Sequence, residues 1–151
     1  MPLLIERIQE GTVIDRIQAF RGIRVLEILK LVLSGGKQEE MKSRIALVIN
    51  VPSHHMGRKD ILKIEGRELQ PAEVNKIALI APQARLNVIR GGKVAKKQDV
   101  KLPPKLEDIA ICPNPQCISR SERESSVFLN EPSGLRCQYC ERLFAPNELL
   151  V

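Results

Sequence analysis

Apolar and polar positions along the chain switch between two periods, and each switch marks an element. "TVIDRI" (12–17) alternates as a strand does. "GIRVLEILKLVL" (22–33) recurs every three to four residues instead, placing Ile23, Leu26, Leu29, Leu33 and their neighbours on one helical face. "SRIALVINV" (43–51) is a continuous apolar run that predicts a buried strand, and "DILKIEG" (60–66) predicts a second strand after a turn. "LQPAEVNKIALI" (69–80) reads as a helix, with Pro71 near its first position and Glu73 in its first turn. "ARLNVIR" (84–90) returns as a strand, and "KVAKKQDV" (93–100) adds another. The order β-α-β-β-α-β is that of a ferredoxin-like split βαβ sandwich.

Two glycine pairs, at 35–36 and 91–92, read as turns, and "KLPPKLED" (101–108) reads as a stiff linker. The expected division is a domain over 1–100, a linker at 101–105 and a second domain over 106–151. There is no internal repeat. The second domain shows only short strand-like runs: "DIAIC", "SSVFLN", "LRCQYC" and "RLFAP". It has about 45 residues, below the size at which apolar burial usually suffices without a staple.

The staple is visible in the cysteines. All four lie in this last third: Cys112 and Cys117 form one close pair, Cys137 and Cys140 another. Two close pairs joined by a hairpin-sized segment suit a tetrahedral metal, each pair coming from a tight turn. Pro113, Asn114 and Pro115 favour such a turn. The reading is one structural Zn²⁺, against an iron–sulfur or rubredoxin-like centre, disulfides or plain buried thiols. Four thiolates would fill the metal and leave no position for water, so its role is fold stability rather than catalysis. The expected fold class is therefore α+β: an N-terminal ferredoxin-like α/β sandwich followed by a small C-terminal all-β four-cysteine zinc domain.

Composition narrows the function. Apolar residues make up 43% and charged ones 28%, as in a globular chain. No apolar run approaches the roughly 20 residues that cross a bilayer, so no membrane role is expected. The N-terminus lacks a signal pattern, which points to the cytoplasm, where thiols stay reduced. The net charge of +6 is unevenly spread, at +8 over residues 1–103 and −2 over 104–151. A zinc module gripping phosphates would be basic, and this one is acidic.

Two basic clusters stand out. If 60–65 is a strand, Lys59 and Lys63 share a face about 13 Å apart, a span suited to the two ends of a nucleotide. "KVAKK" (93–97) is the second cluster. Each has the plainer reading of solvated lysines on a sheet edge, and neither contains a phosphate-cradling glycine loop. Asp15 orients a ligand or caps a turn. His54 and His55 are adjacent, diverge on an extended chain and make a poor metal pair. No GxSxG, HExxH or carboxylate–histidine set appears, so no catalytic residues are assigned and the chain does not read as an enzyme.

"GTVID" (11–15), "MGRKDILKIE" (56–65), "NKIALIAP" (75–82), "CPNPQCIS" (112–119) and "LRCQYCERLF" (135–144), in this order and spacing, closely resemble the regulatory chain of aspartate carbamoyltransferase. The resemblance runs from about residue 5 to about residue 148. It implies a non-catalytic subunit of pyrimidine biosynthesis that binds ATP, CTP or UTP in its N-terminal domain. It also implies that these chains pair with each other through that domain and link trimers of separate catalytic chains through the zinc domain. By residue, it implies nucleotide contacts from Lys59, Lys63 and Lys97. Ile5, Glu6 and Ile8 would meet the base beside Val13 and Asp15, with Asn87, Ile89 and Val94 on the opposite wall. Asn114 and Glu141 would face the catalytic chain.

Three positions depart from the family pattern. Arg16 stands where a histidine is common, Gly92 where a longer and often aromatic residue is common, and Gln116 where an asparagine is usual. Arg16 adds positive charge near the expected triphosphate, and Gly92 removes a pocket wall. The rival reading is a zinc-ribbon nucleic-acid-binding protein. An RNA-reading sheet needs exposed aromatics for stacking, and before the linker the only aromatic is Phe20, just ahead of a helix. With the acidic zinc module, this leaves no nucleic-acid partner expected.

Overall fold

The computed structural model describes residues 8–34, 43–69, 71–122 and 125–149. They fall into two compact units that divide between Lys101 and Leu102. No helix among the described residues is long and apolar enough to cross a membrane.

The first unit is a five-stranded antiparallel sheet. Its elements are β1 (Gly11–Gln18), α1 (Gly22–Ser34), β2 (Ile45–Ser53), β3 (Gly57–Glu65), α2 (Pro71–Val74), β4 (Arg85–Arg90) and β5 (Lys93–Asp99). The strand order is β2-β3-β1-β4-β5. The first four strands in chain order thus pair as the split βαβ requires, and β5 adds a hairpin strand outside β4. Pleating sends alternate residues to opposite faces. Ile14, Leu62, Ile64, Leu86 and Val88 are buried, and α1 packs on β2 and β3. Val13, Lys63 and Asn87, of the opposite parity, are half-buried on the face away from that core.

Three expectations shift. The buried stripe of α1 is Val25, Ile28 and Leu29, while Ile23 is half exposed and Leu26 only partly covered. The side chain of Leu33 lies outside those described. The cause is the helix start. Gly22 sits so close to β3 that a Cβ there would meet Asp60 Oδ2 at 2.9 Å and Leu47 Cδ1 at 2.7 Å, which turns Ile23 outward. The run at 69–80 is not one α-helix: α2 gives way to a 3₁₀ turn over Asn75–Leu79. Val74, Ile77 and Ile80, three apart and therefore eclipsed in 3₁₀ geometry, are all buried. The run at 43–51 forms a strand, but β2 is the sheet edge and its apolar residues are only half-buried.

One buried carboxylate ties three of these elements together. Asp60 is fully buried, and its Oδ2 accepts the Gly22 N–H at 2.8 Å at the start of α1. Its Oδ1 accepts the Asn50 N–H at 2.8 Å. Asn50 has φ 62° and sits where the β2–β3 register shifts between Val48 and Val51. On the other side of β3, the β1 register shifts between Ile14 and Ile17, with Arg16 at φ 59°. That bulge reverses the parity of β1, which is why Ile14 and Ile17, three apart, are both fully buried.

The second unit is a four-stranded antiparallel sheet in the order β6-β7-β8-β9. These are Lys105–Glu107, Val127–Glu131, Gly134–Cys137 and Leu143–Phe144, with a one-turn helix α3 at Ile118–Ser121. Its apolar centre is Phe128, Leu106 and Leu135, each nearly or fully buried. The expected strand at "DIAIC" falls earlier, at β6, and 108–112 is irregular apart from a single bridge residue at Ile111. The chain there approaches the first cysteine turn, and the backbone of Asp108, at φ 57°, already departs from extended geometry.

Candidate metal centre and ligand cleft

The four cysteines converge. Cys112 and Cys117 leave the turn before α3, and Cys137 ends β8. Cys140 follows in a tight knuckle, in which the Glu141 N–H donates to the Cys137 carbonyl at 2.9 Å and Glu141 takes φ 62°. The four Sγ atoms all lie within 4.8 Å of one another. Cys112 and Cys140 are 3.7 Å apart, as are Cys117 and Cys137. Four sulfurs about 2.3 Å from a tetrahedral metal stand roughly 3.8 Å from each other, so the spacing fits that ion. A disulfide, at about 2.05 Å, does not fit it.

The surroundings suit thiolates unequally. Burial pushes the Cys112 thiol up to about 12, reinforced by the neighbouring thiols and only partly offset by the Asn114 N–H. Burial also raises Cys137. At Cys140 burial acts the same way but is outweighed by the Arg142 N–H, the Asn114 side chain and the adjacent thiols, which bring it down to about 7. Ser119, buried, places its hydroxyl 3.0 Å from Cys117 Sγ. An O–H there donates to a thiolate and fixes a ligand from outside the coordination sphere. Asn114 is buried within this knuckle, its Oδ1 accepting the Gln116 N–H at 3.1 Å, whereas Glu141 is exposed.

In the first unit, a cleft of about 310 Å³ is bordered by Ile8, Val13, Asp15, Ile61, Lys63, Asn87, Ile89, Gly92 and Val94. All but Ile61 were named from the sequence, Gly92 among them as a departure from the family pattern. Lys63, Val13, Asn87 and Lys97 form one row across β3, β1, β4 and β5, since Val13 pairs with Lys63 and with Asn87, and Asn87 with Lys97. Three strand spacings put the two lysines roughly 14 Å apart at the backbone. The end of the cleft beyond Asn87 is apolar, with Ile8, Ile89 and Val94. Asn87 Oδ1 is buried with no hydrogen-bond partner among the described residues, a cost that a donor on a ligand would remove.

Lys97, exposed, is not among the residues bordering the cleft, and neither is Lys59. The Nζ of Lys59 is held 2.9 Å from Asp15, a residue that does border the cleft, with both side chains mostly covered. Arg16 does not border the cleft either. Its backbone forms the β1 bulge, and its N–H donates to Asp15 Oδ1 at 2.7 Å. Ile5 and Glu6 lie outside the described residues. Sequence reading missed Ile61, although it has the same parity as Lys59 and Lys63 on one strand and alternation alone points to it.

Comparison with known proteins places the chain in a family. The family profile described as "Aspartate carbamoyltransferase regulatory chain, allosteric domain" matches residues 3–101, and that described as "Aspartate carbamoyltransferase regulatory chain, metal binding domain" matches residues 104–150. A relative of that name from Pyrococcus abyssi is 46% identical, covering 99% of this chain and 97% of its own. One from Hyperthermus butylicus is 46% identical, covering 97% and 91%. Another from Methanothermobacter thermautotrophicus is 43% identical, covering 97% and 92%. The descriptions name a regulatory rather than a catalytic chain, and they divide its length between an allosteric and a metal-binding part. With a four-cysteine centre in the one and a cleft in the other, the chain belongs to the family of aspartate carbamoyltransferase regulatory chains, as a non-catalytic subunit.

Proposed function

We propose that the chain binds nucleoside triphosphates (ATP, CTP and UTP) in the cleft of its first unit and passes their effect to aspartate carbamoyltransferase catalytic chains, arranged as trimers, in cytoplasmic pyrimidine biosynthesis. The observation that carries this reading is the polarity of the cleft. Lys63 supplies a cation on the β3 side, Lys97 stands roughly 14 Å away at the other end of the same row, and Ile8, Ile89 and Val94 supply an apolar end for a flat base. Asn87 Oδ1 between them, with no partner among the described residues, awaits a donor. Lys59, Val13 and Asp15 complete the nucleotide contacts in this reading, with Ile5 and Glu6 at the base.

The metal in this reading is one Zn²⁺ held by Cys112, Cys117, Cys137 and Cys140. When bound it supplies cross-links, not chemistry, because its four positions are filled by thiolates. The domain division follows function: allosteric over 1–100, linking at 101–105, and contact with the catalytic chain over 106–151, where Asn114 in the first cysteine turn and Glu141 in the second face that chain. The first domain also pairs two copies of the chain. Coupling between nucleotide and the partner's substrates is reciprocal and usually about 1–3 kcal/mol.

The test is calorimetric titration of the purified chain with CTP and then ATP at fixed salt, beside Lys63→Ala. Saturable binding is expected, weakened roughly tenfold or more by loss of a charge-assisted contact. Equal affinity for wild type and variant would remove Lys63 from the site, and the nucleotide reading fails if the wild type binds neither nucleotide.

A further inference from the structure

Gly92 lines the apolar end of the cleft, and its φ of 75° is one that side-chain-bearing residues rarely adopt. The space above it is not open. A Cβ on Gly92 would lie 2.9 Å from Gln9 Oε1, 3.5 Å from its Cδ and 3.6 Å from its Nε2. The amide of Gln9 therefore stands beside the exposed glycine, where a side chain at position 92 would project.

This amide is carried on a backbone fixed from several directions. The Gln9 carbonyl accepts the Gly92 N–H at 2.9 Å. Next to it, the Glu10 carbonyl accepts the Gly66 N–H at 2.8 Å, and Glu10 Oε1 accepts the Gly91 N–H at 2.9 Å. Residues 9 and 10 are thus stitched to the turn after β3 and to the β4–β5 turn. The Gln9 side chain itself is exposed, with no partner given among the described residues that would consume its donor or acceptor.

A carboxamide carries both two N–H donors and an acceptor oxygen. Gln9 does not itself border the cleft, but its amide stands beside Gly92, which does, at the end away from Lys63, and is placed for the hydrogen-bonding edge of a ring and not for an anionic tail. We infer that Gln9 is a specificity-determining residue of this cleft, standing beside Gly92 and reading the polar edge of the bound nucleobase. The inference rests on the nucleotide reading of the cleft. It goes beyond that reading by assigning base discrimination to a residue outside the row of lysines, and by making Gly92 the reason that residue has room.

The experiment is calorimetry on the full chain with CTP, ATP, UTP and inorganic tripolyphosphate, for wild type, Gln9→Ala and Gln9→Glu. Gln9→Ala is expected to weaken the nucleotides roughly 3- to 10-fold, to unequal extents, while tripolyphosphate is unchanged. Gln9→Glu keeps an acceptor and loses the donor. Relative to the uniform loss shown by tripolyphosphate, it should retain CTP and ATP, whose bases carry an amino group, better than UTP. Unchanged nucleotide affinities in Gln9→Ala, or a loss shared equally by tripolyphosphate, would overturn the role of Gln9 while leaving the cleft as a nucleotide site. Absence of nucleotide binding by the wild type would overturn both.

Discussion

At the scale of single residues, the four cysteines are chemically unequal although their spacing treats them alike. Without metal, Cys112 is pushed up to about 12 and Cys137 is also raised, both chiefly by burial, while Cys140 is lowered to about 7. A metal takes only thiolates, so binding must expel the protons that Cys112 and Cys137 hold throughout the neutral range. The sign follows: protons compete with the metal, affinity rises with pH, and acidification releases the ion. Below about pH 7 Cys140 adds its own proton to the competition, so release should steepen there. Metal transfer to a chromogenic chelator, followed from pH 8 to pH 5.5, checks this, and a pH-independent transfer would contradict it.

At the scale of elements, two of the sheet's register shifts flank the same stretch of β3, and a third lies between β4 and β5 at Val88/Ile89. Sequence periodicity identified each strand but carried no sign of these shifts, because a bulge changes parity by one residue and leaves composition untouched. Asp60 fixes one of them. It accepts one N–H from the β2 bulge and one from the start of α1, and replacing it with alanine takes the partner from a part-buried donor at Asn50 and a buried one at Gly22. Asp60→Ala is expected to destabilise the first unit by about 2–4 kcal/mol. The measurement is urea unfolding read from amide signals of β1, and a loss under about 1 kcal/mol would mean that water replaces the carboxylate. The helix stripe follows from the same contact. Gly22 lies against Asp60, so Val25, Ile28 and Leu29 face inward and Ile23 does not.

At the scale of the whole molecule, the two units solve the stability problem differently. The first buries an extensive aliphatic core, including Ile14, Ile17, Leu29, Leu62, Ile64 and Ile77. The second has Phe128, Leu106 and Leu135 at its centre, and the space beside them is taken by cysteines. Metal binding and folding are then one equilibrium for the second unit and independent of the first. Chelation should abolish amide protection across β7 and β8 while leaving that of β1, β3 and β4 within about threefold of the metal-loaded chain, as befits units that unfold separately. Hydrogen exchange measures both in one experiment, and loss of protection in β1 together with β7 would refute separate units.

The sequence by itself determined the alternation of strands and helices, the split βαβ order and the close cysteine pairs. These are local properties of period and spacing that survive without a structure, but of the cleft they offered only Lys59, Lys63, Asp15 and the basic cluster at 93–97, the other lining residues except Ile61 being named by the family resemblance. Val13, Lys63, Asn87 and Lys97 were legible as separate residues of strand-like runs. Only the tertiary structure decided that they form a single row, since register depends on pairing between strands distant in sequence. It decided that β2 is an edge and hence half-buried, which an apolar run cannot reveal. It decided that Asn114 is buried among the cysteines. It also decided that the space left by Gly92 is filled by Gln9, 83 positions earlier in the chain. A missing side chain is visible in a sequence, but what stands in its place depends on which segment the fold brings over it.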